Sequence, residues 1–276
     1  MTSLPTLDHI VVDVRDKMDE ATSVFRALGY QLTPLGRHSL GTINHLAVFG
    51  DNYLELLGYE PGATDIRADV VDYPPGLNGL VFGTVDSGAT YESMRARGVP
   101  IQEPVPFFRP VELSNGIKED AHFRTVRLPR GTIPGVRAYF CHHLTRHLVW
   151  RDEWQHHANG TLNIARLLLA SADPEASAAI FAKMFGAAAI QTGPHGLSLL
   201  MSNAVLDIVT HDTAKQRFGD ALAAADGRTD FLAAMVLKTA TPAKLKDVLG
   251  SVLSAREGRM VVPARLACNV ALEFVA

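Results

Sequence analysis

Four short apolar runs recur along the chain: Leu7–Val14, Leu77–Val85, Leu162–Ala170 and Phe231–Lys238. Each is rich in Val, Ile, Leu or Phe and short enough for a buried strand. They begin about 70, 85 and 70 residues apart. A helical pattern follows each run. After the first, Met18, Ala21, Phe25 and Leu28 fall at helical spacing and Gly29 ends the stretch. After the second, Ser87 precedes Tyr91 and Met94, and Gly98 closes it. After the third, Asp173-Pro174 reads as a cap with proline at the first helical position, Ile180, Phe181 and Met184 line one face, and Gly186 stops it. After the fourth, Thr241-Pro242 repeats the cap before Leu245, Val248, Leu249 and Val252.

Strand-like runs follow every helix. They are 31–35, 42–49 and 52–59 in the first unit, and 105–113, 122–128 and 136–141 in the second. The third has 188–192, 197–201 and 204–210; the fourth has two clear ones, 260–264 and 268–275. The repeating unit is therefore strand, helix, then about three strands. One such unit leaves a sheet with an apolar face and open edges, so units must pair. The expected class is α+β: four βαβββ modules forming two paired half-barrels. Residues 1–146 hold the N-terminal pair and 161–276 the C-terminal pair. The segment 147–160 reads as a connecting helix with Trp150 and Trp154 packing against the two halves.

Composition narrows the partners. The chain has 276 residues, 47% apolar side chains and a formal charge of −3. That is typical of a globular protein and lacks the basic surplus that nucleic-acid binding needs. Two cysteines suit a reducing compartment and cannot form a disulfide framework. The start of the chain has no basic segment followed by an apolar one, and no apolar run is long enough to span a membrane. A cytoplasmic address is expected. Nucleotide-loop, serine-hydrolase and zincin motifs are missing.

The paired βαβββ pattern resembles the vicinal oxygen chelate superfamily, which includes glyoxalase I, extradiol dioxygenases and bleomycin-binding proteins. The opening resembles its glyoxalase-like subgroup: Leu7-Asp-His9-Ile, then Gly36-Arg37-His38 with Gly41-Thr42-Ile-Asn44, then Tyr53-Leu-Glu55-Leu. The resemblance implies a metal held by a His on the first strand of a unit and a Glu on its last. His9 and Glu55 stand there, and imidazole with carboxylate suits Fe, Mn, Zn or Ni. The second unit departs from the pattern. Gly79 stands in the place of His9, and the last strand, VRAYFCHH, has no Glu. A third ligand is expected from His143, with His142 and His38 as alternatives. Glu273 in the fourth unit has no His partner, so the C-terminal pair reads as scaffold or a homodimer surface.

Within this frame Arg37, Thr42 and Asn44 are candidate substrate donors, and Glu55 and His38 candidate catalytic groups. Gly36 and Gly41 are expected to supply unusual backbone angles. The leading expectation is a glyoxalase-like metalloenzyme acting on a small oxygen-chelating substrate by isomerase, lyase or dioxygenase chemistry through an enolate-like intermediate. Glu55 serves as a base if no metal is bound. The alternative is a non-catalytic protein that binds small molecules or antibiotics. His142, His143, His147, His156 and His157 crowd one stretch that otherwise reads as an exposed connector.

Overall fold

The computed structural model describes residues 4–276 apart from 114, 115 and 257. The first half runs β1 (Leu7–Arg15), α1 (Met18–Ala27), β2 (Gly36–Arg37), β3 (Ile43–Val48), β4 (Tyr53–Gly58), α2 (Ala68–Val71), β5 (Gly76–Gly83), α3 (Ser87–Ala96), β6 (Val105–Glu112), β7 (Lys118–Arg127) and β8 (Arg137–His143). The second runs β9 (Thr161–Ser171), α4 (Pro174–Phe185), β10 (Ile190–Gly193), β11 (Gly196–Leu200), β12 (Val205–Thr210), α5 (His211–Phe218), β13 (Asp230–Thr239), α6 (Leu245–Leu249), β14 (Ser254–Arg256), β15 (Arg259–Val262) and β16 (Ala271–Val275).

Two eight-stranded sheets result, ordered β2-β3-β4-β1-β5-β8-β7-β6 and β10-β11-β12-β9-β13-β16-β15-β14. In each, the leading strands of two modules lie antiparallel at the centre, and each pairs in parallel with the last strand of its own module. These are the paired half-barrels that the repeat implies. One core lies between the sheets. It joins Ile10, Val12 and Phe82 of the first to Leu167, Leu206 and Met235 of the second, with Phe25 of α1, Phe181 of α4 and Leu245 of α6 filling the gap. The helices are sandwiched because their apolar stripes have a sheet on either side.

Local chemistry places several boundaries differently from the sequence pattern. Asp86, not Ser87, caps α3, its carboxylate accepting from the Gly88 and Ala89 amides. Asp173 caps α4 as expected. Thr241 caps nothing with its side chain; a single 3-10 turn leads into α6. The strand expected at 31–35 forms only at Gly36–Arg37. The fourth unit has all three of its strands. The connector forms two 3-10 turns rather than a helix, and both tryptophans pack on the first sheet alone. His157 fixes this segment: its Nδ1 accepts from the Gln31 amide, and its Nε2 donates to the Val48 carbonyl.

The concave faces differ. That of the second sheet is crossed by α5, whose Ala214 and Phe218 pack on Leu168, Val209 and Phe231, with a cavity of about 220 Å³ left beside Asp207 and Arg217. That of the first stays partly open.

Two reciprocal clasps join the halves. The Asn52 side chain accepts from the Ile164 amide at 2.9 Å and donates to its carbonyl at 3.1 Å. Asn203 does the same to Leu7, at 2.9 Å each way. Asn52 is fully buried. Asn52→Leu leaves two buried backbone groups unpaired, so a loss of roughly 2–4 kcal/mol is expected, read as a lower urea midpoint at constant slope. An unchanged midpoint would show the clasp to be dispensable.

Candidate functional site

Strand register builds the site. One row across the first sheet reads Arg127, Tyr139, Val81, His9, Tyr53, Val48. The next reads Arg137, Gly79, Val11, Glu55, Leu46. Residues in a row, and those two apart along one strand, share a face. His9, Glu55, Tyr139, Arg127 and Arg137 therefore converge on the concave side.

His9 is 2% exposed and stacks on Tyr53 with ring centroids 4.3 Å apart. Its Nε2 lies 3.1 Å from the Tyr139 hydroxyl and 3.6 Å from Glu55 Oε2. A register shift between Leu7 and His9 makes Asp8 an extra residue in the ladder with β5. This bulge lets Asp8 reach the ring beside it. Asp8 Oδ1 is 2.6 Å from His9 Nδ1 and 2.9 Å from His143 Nε2. Burial opposes ionisation of Asp8, but the charges and hydrogen bonds of the two imidazoles outweigh it and hold its pKa well below the usual carboxylate range. Asp8 thus fixes the ring through Nδ1 and leaves Nε2 facing the cavity.

A second chain of contacts orients Glu55. Asn44 Nδ2 donates to Glu55 Oε1 at 2.6 Å and lies 3.1 Å from His38 Nε2, while His38 Nδ1 is 2.7 Å from Thr42 Oγ1. Burial pushes the His38 pKa down to about 4, against the pull of the Glu55 carboxylate. The ring is thus neutral, with Nδ1–H donating to Thr42 and Nε2 accepting from Asn44. Gly36 has no positive φ; it is needed for room. A Cβ there would lie 2.3 Å from Asn44 Oδ1 and 2.9 Å from Arg109 Cδ. Gly41 does use the left-handed region, at φ 85°. Arg37 turns outward to Glu60 at 2.6 Å and does not line this cavity.

Four guanidiniums, from Arg67, Arg109, Arg127 and Arg137, line the same cavity with Phe107 and Phe123. Arg109 and Arg137 are 3% and 6% exposed. Nη2 of Arg109 and both Nε and Nη2 of Arg137 are buried without a hydrogen-bond partner. Behind the wall, Asp69 bonds Arg67 through two oxygens at 2.9 and 2.6 Å and lies within 3.9 Å of Arg127 and 3.8 Å of Arg137. The space open to water is about 40 Å³, room for roughly three water molecules. Arg109 also borders a wider outer cavity of about 340 Å³, with Arg37, Lys118 and Trp154.

His9 and Glu55 are close enough to share an ion. The positions related to them by the module repeat are Gly79 and Tyr139. Gly79 offers no ligand, and Arg137 Nη2 lies 3.5 Å from where its Cβ would stand. Burial raises the pKa of Tyr139 far above its ordinary value, so its phenol stays protonated. His143 is engaged by Asp8 and is not part of the cavity lining. The lining holds two imidazoles, His9 and His38, one carboxylate, Glu55, and the Cys141 thiol beside four guanidiniums, and His38 is engaged by Thr42 and Asn44. Among the described residues a different group could hold a metal: Asp8, Cys141 and His143, with ligand atoms within 4.8 Å of one another.

Sequence reasoning missed Asp8, Tyr139 and the four arginines. A signal existed for three of them. Arg109, Arg127 and Arg137 each interrupt an apolar strand-like run, in FFRPV, TVRLP and GVRAYF. An arginine facing into a sheet needs a partner.

A model of the glyoxalase-like domain matches residues 7–185. No curated protein matches the chain. A hypothetical protein from Staphylococcus aureus aligns over 99% of both chains at 15% identity, with a TM-score of 0.70. A substituted form of 4-hydroxymandelate synthase from Streptomyces coelicolor aligns over 99% of this chain and 92% of its own at 12% identity, TM-score 0.58. Streptomyces coelicolor methylmalonyl-CoA epimerase aligns over 52% of this chain and 100% of its own at 23% identity, TM-score 0.39. No helix among the described residues is long and apolar enough to cross a membrane. The chain thus belongs to the glyoxalase-like domain family and carries the vicinal oxygen chelate fold.

Proposed function

We propose that the first half-barrel is an enzyme active site for proton transfer at carbon next to a carbonyl, on a small anionic substrate. The observation that carries this reading is the pair formed by His9 Nε2 and Glu55 Oε2, 3.6 Å apart in a water-poor cavity. Glu55 takes the α-proton. The C–H bond breaks, an O–H bond forms on Glu55, and the electron pair moves onto the carbonyl oxygen. The Tyr139 hydroxyl and the guanidiniums stabilise that oxyanion, the role a Lewis-acidic metal takes elsewhere. Asn44 and His38 position Glu55, and Asp8 positions His9. Return of the proton from Glu55 regenerates the substrate with exchange against solvent, and delivery of a proton from a protonated His9 to the opposite face, with Glu55 keeping the first, gives epimerisation.

A second reading is favoured by the Asp8, Cys141 and His143 group: a metalloenzyme whose ion sits beside His9. Metal analysis of purified protein separates the two. A stoichiometric ion lost in Cys141→Ser supports the second reading.

Solvent deuterium wash-in, followed by NMR over a panel of small 2-oxo acids and 1,3-dicarbonyl acids, tests the first. Wild-type protein is expected to exchange the α-proton of at least one, and Glu55→Gln to slow this by about 10²–10⁴-fold. Full exchange in Glu55→Gln, or none in the wild type, would overturn the reading.

The neutral state of His38 has its own signature. Its folded pKa, about 4, lies below the unfolded value of about 6.5. The unfolded chain therefore binds the proton first as pH falls. Stability from this group is complete above about pH 6.5 and declines toward pH 4, by a few kcal/mol. Burial shifts His45 and His157 in the same sense. Urea midpoints measured from pH 7.5 to 4 should fall, and His38→Gln should flatten the slope. An equal slope in that variant would show that His38 is not held neutral.

A further inference from the structure

Resting on that reading of the site, we propose that the cavity is built for a ligand group carrying two negative charges, gripped by Arg109 and Arg137. Charge counting leads there. Four guanidiniums line the cavity, and two carboxylates, Glu55 within it and Asp69 behind it, face them. Four less two leaves a surplus of two. Asp8 and Asp13 lie outside the lining, Asp8 bonded by His9 and His143 and Asp13 paired with Arg15.

The surplus is localised on unpartnered donors. Arg109 makes no ion pair with any described carboxylate, and its Nη2 is buried and unbonded. Arg137 approaches Asp69 only through Nη1, at 3.8 Å, leaving Nε and Nη2 unbonded. Nε and one Nη form the edge of a guanidinium that takes an oxyanion through two parallel bonds. Buried cations with idle donors are expensive in a protein that has no ligand to match them. The chain also makes room for both groups. Gly36 lies under the Arg109 side chain, and Gly79 leaves open the space beside Arg137 Nη2. The small inner volume sets the size: two carboxylates a few bonds apart, or one phosphate. The wider cavity beyond Arg109 can take whatever the head group carries.

The test is equilibrium binding, independent of turnover. Calorimetry and thermal shift would compare malonate, malonamate and inorganic phosphate. Malonamate has nearly the shape of malonate and one charge less. Malonate or phosphate is expected to bind at least tenfold more tightly than malonamate. Phosphate binding alone places both charges on one group; malonate binding alone places them on two. Arg109→Met and Arg137→Met should each remove that preference, while the melting temperature of the ligand-free variant stays level or rises. Arg109→Lys, which keeps the charge and loses the fork, should lie between. Equal affinity for malonate and malonamate, binding of none of the three, or a lower melting temperature in both ligand-free methionine variants would overturn the proposal. Preferential dianion binding without proton wash-in would sink the enzyme reading and leave this one standing.

Discussion

The cavity is organised around the antiparallel ladder between β1 and β5. That pairing sets two modules back to back, so the sheet curls to both sides of one seam. The seam is irregular where the chemistry lies. The bulge at Asp8 turns a carboxylate toward the ring of the following histidine. Directly across from Val11, Gly79 has no side chain. A Cβ there would stand 2.6 Å from the Val11 Cβ, so the strands could not approach as they do. The absence of a ligand in the second module and the close packing of the seam are thus one fact.

Much of the architecture was legible because it follows from burial. Four β runs with capped helices behind them can be satisfied only by pairing, and the alternation that puts Glu55 and His9 on one face is a matter of parity. The first of the three strands after α6 was not legible: residues 254–256 are short, edge-lying and polar enough to read as loop. The connector failed for another reason. Trp150 and Trp154 have helical spacing, yet the Trp150 ring packs edge-on to Tyr53 of β4, centroids 5.3 Å apart, and the chain turns twice instead of winding. Long-range contacts of this kind override local pattern.

The site was legible in its first half only. His9, His38, Thr42, Asn44 and Glu55 stand in a compact motif, and the fold draws them together. The arginines come from four separate elements and share no spacing. For the three on strands, meaning depends on the register of β6, β7 and β8 against β5, which periodicity does not supply. Asp8 was hidden differently: parity alone sends it to the opposite face from His9, and only the bulge brings it back. Arg37, adjacent to His38 in sequence, points away because neighbours on a strand face opposite sides.

The second half-barrel keeps charged residues in the corresponding rows: Arg166, Asp207 and Glu273 stand where the first has His9, Glu55 and Tyr139. They are tied to one another through Arg217 of α5, which reaches Asp207 at 3.6 Å and Glu273 at 2.8 Å. A polypeptide of half this length that paired with a copy of itself would have to carry the same residues in both halves. Here the reciprocal asparagine clasps hold two unequal halves of one polypeptide, and the linker keeps each permanently near the other. Tethering therefore frees the two cups to diverge under mutation, one keeping a chamber walled by arginines while its twin is spanned by a helix and laced by its own ion pairs.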